Sequence, residues 1–433
     1  MAERSAPERG FIGTLDWKLI LLWLVLVLIG WLNIYAAVRS AEPSSIFDFS
    51  CNCGRQALWI GTSLILALLI MFVLKPGIWE TLSTPGYLAV TLLLIAVIFL
   101  SKDVKGSHSW FEFGPVKFQP AELSKITTSL LLATLMSRPN FKLTTAGNFL
   151  RALLIIGLPM MIIVLEDETG SALVYVGFLF ALYREGMSGW ILFMLFMAVV
   201  LCVLALVTGP WVPMFLLAVV CLVYWLRVVR TTRRGGKSKR RSALVRTLTA
   251  FAAGVMLVFA TGYAFNKALK PYQQARIEVL LGLKDDPSGV GYNVRQSMIA
   301  IGSGGFWGKG YLQGTQTTFG FVPEQSTDFI FCTVGEEWGF VGCLLVILLY
   351  ALMIWRILED SETARSSFTR VYGYCLASCL FMHLFINISM TVGLMPVIGI
   401  PLPFLSYGGS SMWAFTAMLF IFLALDRQEK KYF

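Results

Sequence analysis

Residues 393–411 read GLMPVIGIPLPFLSYGGSS. Three prolines (Pro396, Pro401, Pro403) and four glycines within this stretch forbid a regular helix, because each proline removes an amide donor and crowds the turn before it. Yet the segment joins two apolar runs, 372–394 and 412–425. At membrane depth every backbone polar group must be satisfied within the protein, so irregular chain survives there only where it is buried in protein or lines a cavity. The predicted fold is all-α: a polytopic integral membrane protein in which a broken segment marks a functional region.

Composition supports this class. Of the 433 residues, 57% are hydrophobic and 14% charged, and the mean hydropathy is +0.73. Soluble domains carry about 25% charged residues, so a soluble enzyme, a disordered chain and a disulfide-stapled secreted domain are excluded. At about 20 apolar residues per crossing, the apolar runs are 17–38, 57–74, 86–100, 122–136, 152–165, 171–182, 190–207, 212–226, 248–265, 340–355, 372–394 and 412–425. That predicts about twelve transmembrane helices. The short runs predict helix ends that extend into polar flanks.

The net charge is +10. Lys and Arg accumulate on the cytoplasmic side of membrane proteins. With twelve crossings and both termini cytoplasmic, most of the 35 cations fall inside, including the run RTTRRGGKSKRR within the basic loop 227–246. That run reads as a topology signal before it reads as a lipid or partner patch, and the charge needs no nucleic acid to explain it. The same topology puts a long connection, 266–339, outside, and long structured loops usually carry function. The first apolar run is long enough to span, so no cleavable signal peptide is expected. Six of eight cysteines lie in or beside apolar runs as small hydrophobes; Cys51 and Cys53 sit in a polar loop, where a lone C-x-C is weak evidence for a metal or disulfide.

An ionisable group inside a membrane protein is a functional candidate by default. Glu122 and Lys125, after Gln119-Pro120-Ala121, share one face of a helix that Pro120 is placed to open. They read equally as part of an anion site and as a helix-start ion pair. Glu166, Asp167 and Glu168 crowd three acids between two apolar runs, which raises one pKa and suits a cation, a proton or simply a solvated turn. Asp286-Pro287 among glycines makes a tight turn that could present a general base. Gln296 and Ser297 follow it. Glu324 in a polar rim, and Glu336 and Glu337 at the start of an apolar span, are further candidates, with Ser406 and Tyr407 in the irregular segment. His108 and His383 form no metal set and are expected to be structural.

At these residues the chain resembles the SEDS family, the RodA/FtsW peptidoglycan polymerases, over nearly its full length. FQPAELSK is similar to the family's QPSELAK. DPxGxGYxxxQSxxAIGSGGxxGKG, followed by GTQ, FVPEQSTDFIF and GEExG, resembles the signature of the family's large extracellular loop. NISMTVGLMPVIGIPLPFLSYGGSS resembles the C-terminal signature, in wording nearer the RodA branch. The resemblance implies one SEDS-type membrane domain over 1–433, with ten family spans plus an inserted hairpin at 188–228, in the bacterial cytoplasmic (inner) membrane. It implies a glycosyltransferase that polymerises lipid II into glycan strands during elongation and releases undecaprenyl pyrophosphate. Asp286 falls at the family's catalytic aspartate. Substrate binding would involve Glu122, Lys125, Glu168, Gln296, Ser297, Glu324, Ser406 and Tyr407. A divalent cation, Mg or Mn, is the cofactor to consider. The implied partners are a class B penicillin-binding protein and other elongation-complex membrane proteins. Two departures stand out. Ser109 replaces the family's arginine before Trp110, and Glu166–Ser171 replaces Q-P-D-L-G-T, which puts Glu168 at the aspartate. A division-specific polymerase, a precursor flippase and a non-catalytic scaffold are the competing readings; the chemistry-bearing residues cluster at one surface, which suits a polymerase better than alternating access.

Overall fold

The computed structural model describes residues 15–39, 45–101, 109–113, 116–231, 236–284, 286, 289 and 291–430. The helices are α1 (Trp17–Val38), α2 (Asn52–Leu68, prolonged by a π turn to Val73), α3 (Ile78–Leu100), α4 (Pro120–Met136), α5 (Ala146–Leu165), α6 (Thr169–Val174) and α7 (Phe178–Arg184). Then follow α8 (Gly189–Thr208), α9 (Trp211–Thr231), α10 (Lys237–Tyr263), α11 (Pro271–Leu280), α12 (Tyr292–Gly304), α13 (Thr315–Thr318), α14 (Ile330–Thr363), α15 (Ser367–Thr391) and α16 (Gly409–Lys430). A two-stranded antiparallel hairpin, β1 (Phe111–Phe113) and β2 (Val116–Phe118), leads into α4 with Glu112 opposite Lys117. Each of the twelve apolar runs is helical. Among the described residues ten helices are long and apolar enough to cross a membrane; α4 and the broken helix 169–184 are shorter.

The chain divides into two compact units. In the first, residues 1–187 and 293–433, α15 is the axis. It packs on α14, α4, α7 and α16, and 83% of its apolar window is buried, against 33% for α3. Helices such as α3 thus keep an apolar face for lipid, while α15 is surrounded by protein. In the second unit, 188–292, α8, α9 and α10 pack pairwise. No residue of α8 is buried, which is tolerable only because every side chain on it is one that lipid accepts.

α14 is broken at Gly339 (φ 65°). A break in a span frees backbone groups that water cannot reach. The chain just after α12 supplies the partners: Lys309 and Gly310 N–H donate to the Glu336 and Glu337 carbonyls (both 3.0 Å), while Phe340 and Val341 N–H donate to the Gly305 and Phe306 carbonyls (2.9 and 3.2 Å). This threading leaves no room for side chains. A Cβ on Gly308 (φ 81°) would stand 2.1 Å from the Glu337 carbonyl oxygen, and one on Gly339 2.3 Å from the Gly308 nitrogen. The GSGGFWGKG wording is therefore a packing requirement.

The turn from α5 to α6 is equally constrained. Glu166 closes α5 through its amide to the Ile162 carbonyl (3.0 Å), Asp167 sits at φ 64°, and the Glu168 carbonyl accepts from Ala172 N–H (3.1 Å). Glu166 is fully buried. Burial, helped by the nearby Glu168 charge, pushes its carboxyl from the ordinary 4.5 up to about 8.

Two stability outcomes follow. Gly308→Ala should lower the thermal midpoint in detergent, with left-handed strain alone costing about 1–3 kcal/mol. Gly302→Ala, where a Cβ meets nothing within 4 Å, should be neutral or gain up to ~1 kcal/mol; equal losses would refute the threading argument. For Glu166 the folded state favours the neutral acid. Stability present below pH 4.5 is then lost as pH rises to about 8, at about 1.4 kcal/mol per unit of displacement. Glu166→Gln should melt progressively higher than wild type between pH 5 and 8. A difference independent of pH would contradict the burial.

Candidate active site

A fully buried ion pair of the first unit lies on α4. Pro120 opens this helix, as expected. Glu122 and Lys125, three residues apart, make an ion pair of 2.7 Å, with side chains 4% and 1% exposed. The Lys125 ammonium also meets His383 Nε2 at 2.9 Å and lies 5.2 Å from the centre of the Phe415 ring. Lys125 therefore faces protein on all sides. Glu122 Oε2 is buried and has no hydrogen-bond partner among the described residues.

Within the irregular segment 393–411, residues 402–406 are buried in protein, whereas Leu394 is exposed. The segment's carbonyls find side-chain donors: Asn387 Nδ2 reaches Ile400 O (2.7 Å), and Tyr350 OH donates to Pro403 O. Ser406 Oγ accepts from Leu402 N–H at 2.8 Å, so its hydroxyl shapes the turn. At the far end Tyr407 N–H donates to the Ser326 carbonyl (2.8 Å), and Gly408 N–H reaches Gln56 Oε1 (3.4 Å). Ser410 Oγ accepts from Gln119 N–H (3.3 Å) and donates to the Lys117 carbonyl (3.0 Å). The start of α4, the 324–328 turn and the start of α16 thus converge through Gln119, Ser326 and Ser410. Glu324 (φ 56°) is exposed on that turn, and its Oε2 accepts from Thr327 Oγ1 at 3.2 Å.

Ser297 is fully buried, and its hydroxyl donates to the Thr391 carbonyl at 2.9 Å; it ties α12 to α15. Gln296 beside it is half-buried. Glu336 is a hub. Its carboxylate accepts from Lys309 Nζ (2.7 Å), from Gln316 and Thr317 N–H (both 2.8 Å) and from Thr317 Oγ1 (2.6 Å). It organises the GKG and GTQT loops about the break in α14. Glu337 is as deeply buried.

The two departures from the family pattern meet. Ser109 Oγ donates to Glu168 Oε1 at 2.6 Å. Where the resemblance places an arginine and an aspartate, this chain has a hydroxyl and a carboxylate one methylene longer. His108 lies outside the described residues, as do Asp285, Pro287, Ser288 and Val290. Asp286 belongs to the second unit and is half-buried. Its Oδ1 accepts from Gly289 N–H (2.9 Å) and its carbonyl from Gly291 N–H (3.3 Å), an Asx-type turn that fixes the carboxylate.

Sequence reading passed over a second charged cluster at the opposite ends of the helices. Arg356 pairs with Asp16 (2.6 Å) and Asp360 (3.0 Å), and Lys430 with Asp426 (2.6 Å) and Asp360 (3.3 Å), tying α1, α14 and α16 together. Each residue sits at a helix end, where charge reads as a topology signal. Its only sequence trace is the spacing of Arg356 and Asp360, and of Asp426 and Lys430, one turn apart.

A family model described as Cell cycle protein, for FtsW, RodA and SpoVE, matches residues 16–230 and 218–431. The chain is 32% identical over 406 residues to Peptidoglycan glycosyltransferase MrdB of Escherichia coli (strain K12), covering 92% of this chain and 91% of that protein. It is 32% identical over 428 residues to Peptidoglycan glycosyltransferase RodA of Treponema pallidum (strain Nichols), covering 94% and 96%. One solved chain, from "Structural coordination of polymerization and crosslinking by a peptidoglycan synthase complex", has TM-score 0.66 at 26% identity, over 96% of this chain and 98% of that one. The Thermus thermophilus Rod shape determining protein RodA has TM-score 0.60 at 24% identity, over 96% and 97%, which speaks for the fold. Matched along almost all of its length, the chain belongs to the FtsW/RodA/SpoVE family of cell cycle proteins.

Proposed function

We propose that this chain is a peptidoglycan glycosyltransferase of the elongation type, which polymerises lipid II in the bacterial inner membrane with both termini cytoplasmic. The observation that carries the reading is full-length similarity, at 32% identity, to two proteins named peptidoglycan glycosyltransferase, MrdB and RodA. The multi-helix membrane fold gives a lipid-linked substrate access from the bilayer. The relatives' solved synthase complex supports a cross-linking partner, which we take to be a class B penicillin-binding protein, alongside other elongation-complex membrane proteins.

The reaction is an inverting transfer. An acceptor sugar hydroxyl attacks the anomeric carbon of the donor. The new C–O bond forms as the bond to the lipid pyrophosphate breaks, and the pyrophosphate leaves with the electron pair. Asp286 takes the hydroxyl proton. The Asx-type turn that holds Oδ1 against Gly289 N–H keeps the carboxylate oriented for this. A divalent cation, Mg or Mn, would neutralise charge on the leaving pyrophosphate; among the described residues no group of three or more His, Cys, Asp or Glu is assembled to hold one. Gln296, Glu324, Glu168 and Tyr407 supply polar groups suited to sugar hydroxyls, while Lys125, Glu122, Ser297 and Ser406 hold the helices and turns of the first unit in place.

Asp286→Asn keeps an oxygen for the Gly289 amide and removes the base. Purified in detergent and given lipid II, it should melt like wild type and polymerise at least ~10²-fold more slowly. Undiminished strand synthesis by the folded variant would remove Asp286 from the mechanism.

A further inference from the structure

His383 lies within α15, is 1% exposed, and touches two groups that dictate its state. Nδ1 is 2.9 Å from the Pro401 carbonyl oxygen. A carbonyl only accepts, so Nδ1 carries the hydrogen. Nε2 is 2.9 Å from Lys125 Nζ. An ammonium only donates, so Nε2 offers its lone pair. Both contacts require the same neutral tautomer, and a doubly protonated ring would set an N–H against an ammonium.

The surroundings give this tautomer work to do. Lys125 has Glu122 as its counter-ion. A second carboxylate would leave the buried group with net negative charge; an imidazole lone pair gives the ammonium a second acceptor and adds none. Phe415 of α16 closes the arrangement. Its ring lies under the Lys125 ammonium, edge-on to His383 (centroids 4.8 Å, 80°) and against Phe404 of the irregular segment (6.2 Å, 78°). Phe404 is itself held at φ 67°. One turn further along α15, Asn387 Nδ2 donates to the Ile400 carbonyl (2.7 Å) and to the Asp328 carbonyl (2.8 Å). Two consecutive carbonyls of the unwound chain, at 400 and 401, are thus received by side chains four residues apart on one helix face. Asn387 fastens backbone alone. His383 fastens backbone and charge together.

We propose that His383 is a positioning residue: by clipping the Pro401 carbonyl through Nδ1–H and holding the Lys125 ammonium through Nε2, it sets the α4 ion pair and the unwound segment in register with each other. The segment then delivers Tyr407 to Ser326 and Ser410 to Gln119, so a slip at Pro401 is felt where the chain ends of α4 and α16 meet. The inference rests on the proposed polymerase reading for its kinetic consequence and on the coordinates alone for its chemistry.

The test has an arm for each. The chain holds two histidines, so protein labelled with 15N-histidine gives two imidazole spin systems, and His108→Asn leaves the signal of His383 alone. At neutral pH we expect a neutral ring, Nδ1 protonated and Nε2 an acceptor, with the Nε2 shift moving in Lys125→Met. A ring protonated on Nε2, or on both nitrogens, overturns the proposal whatever the enzyme does. The kinetic arm compares His383→Gln, which keeps one donor and one acceptor, with His383→Leu, which keeps neither. The Gln variant should hold kcat for lipid II polymerisation within about 3-fold, and the Leu variant should lose at least 10-fold in kcat with KM little changed. Equal activity of the folded Gln and Leu variants overturns the positioning role. Should the Leu variant not fold, the imidazole signature and the Gln variant still decide: a Gln variant that folds like wild type yet falls as far as Lys125→Met refutes the proposal. If wild type makes no polymer while the imidazole state is as expected, the polymerase reading fails and the clip stands.

Discussion

A peptide group inside a bilayer has no water to bond with, and among the described residues this chain opens α14 at Gly339 and leaves irregular backbone between α15 and α16. Each exposed amide or carbonyl left without a partner costs several kcal/mol, so the breaks at Gly339 and at 396–408 exist only because other parts of the chain were committed to filling them. The first is filled by backbone: the stretch after α12 runs along the opened turn of α14 and trades four hydrogen bonds with it. The second is filled by side chains, from His383 and Asn387 on α15 and Tyr350 on α14. α15 must be the most enclosed helix to do this, since a donor facing lipid could not also face the segment, and its apolar window is the most buried of the spans.

Charge follows the same logic. Lys125 and Glu336 are fully buried, and each is surrounded by groups that complete its hydrogen bonds. Breaking such a set leaves an uncompensated charge, which is far more damaging than the set is stabilising. Their value is therefore specificity: Glu336 permits one path for residues 309–317, and Lys125 one seating of α15 against α4. Asp286 is half-buried on a turn held by its own side chain.

Periodicity and hydropathy alone disclosed twelve helices, because burial in lipid needs only length and apolarity. The irregularity of 393–411 was legible as well, since proline chemistry is local. What stayed hidden depends on chain-distant partners. Glu336 was visibly too expensive to be idle, but nothing local points to Lys309, 27 residues earlier. Ser297 and Ser406 carry no local sign of their partners, because a serine's target is invisible until the fold brings Thr391 or Leu402 beside it. A single histidine in an apolar run reads as a packed ring, and the partners of His383 come from α4 and from the segment that follows α15. Ser109 and Glu168 each registered as an isolated departure; their 2.6 Å contact turns two oddities into one local substitution of polar chemistry.

The stretch 188–292 is under fewer packing constraints than the first unit. A new span inserted among α4, α14 and α15 would have to match buried charges and threaded glycines at once. α8 makes no such demand, having no buried residue, and the mean hydropathy of its span, 3.1, is the highest of the ten. If α8 and α9 are the pair added to the family's ten spans, their even number matters more than their sequence. One extra crossing would carry the long connection and the 393–411 segment to the wrong side of the membrane, whereas two restore it. The basic cluster that follows α9 then keeps that side in place, since moving several arginines across a bilayer opposes any inversion. On this argument the second unit tolerates change in composition but not in parity, and the first tolerates little change in either.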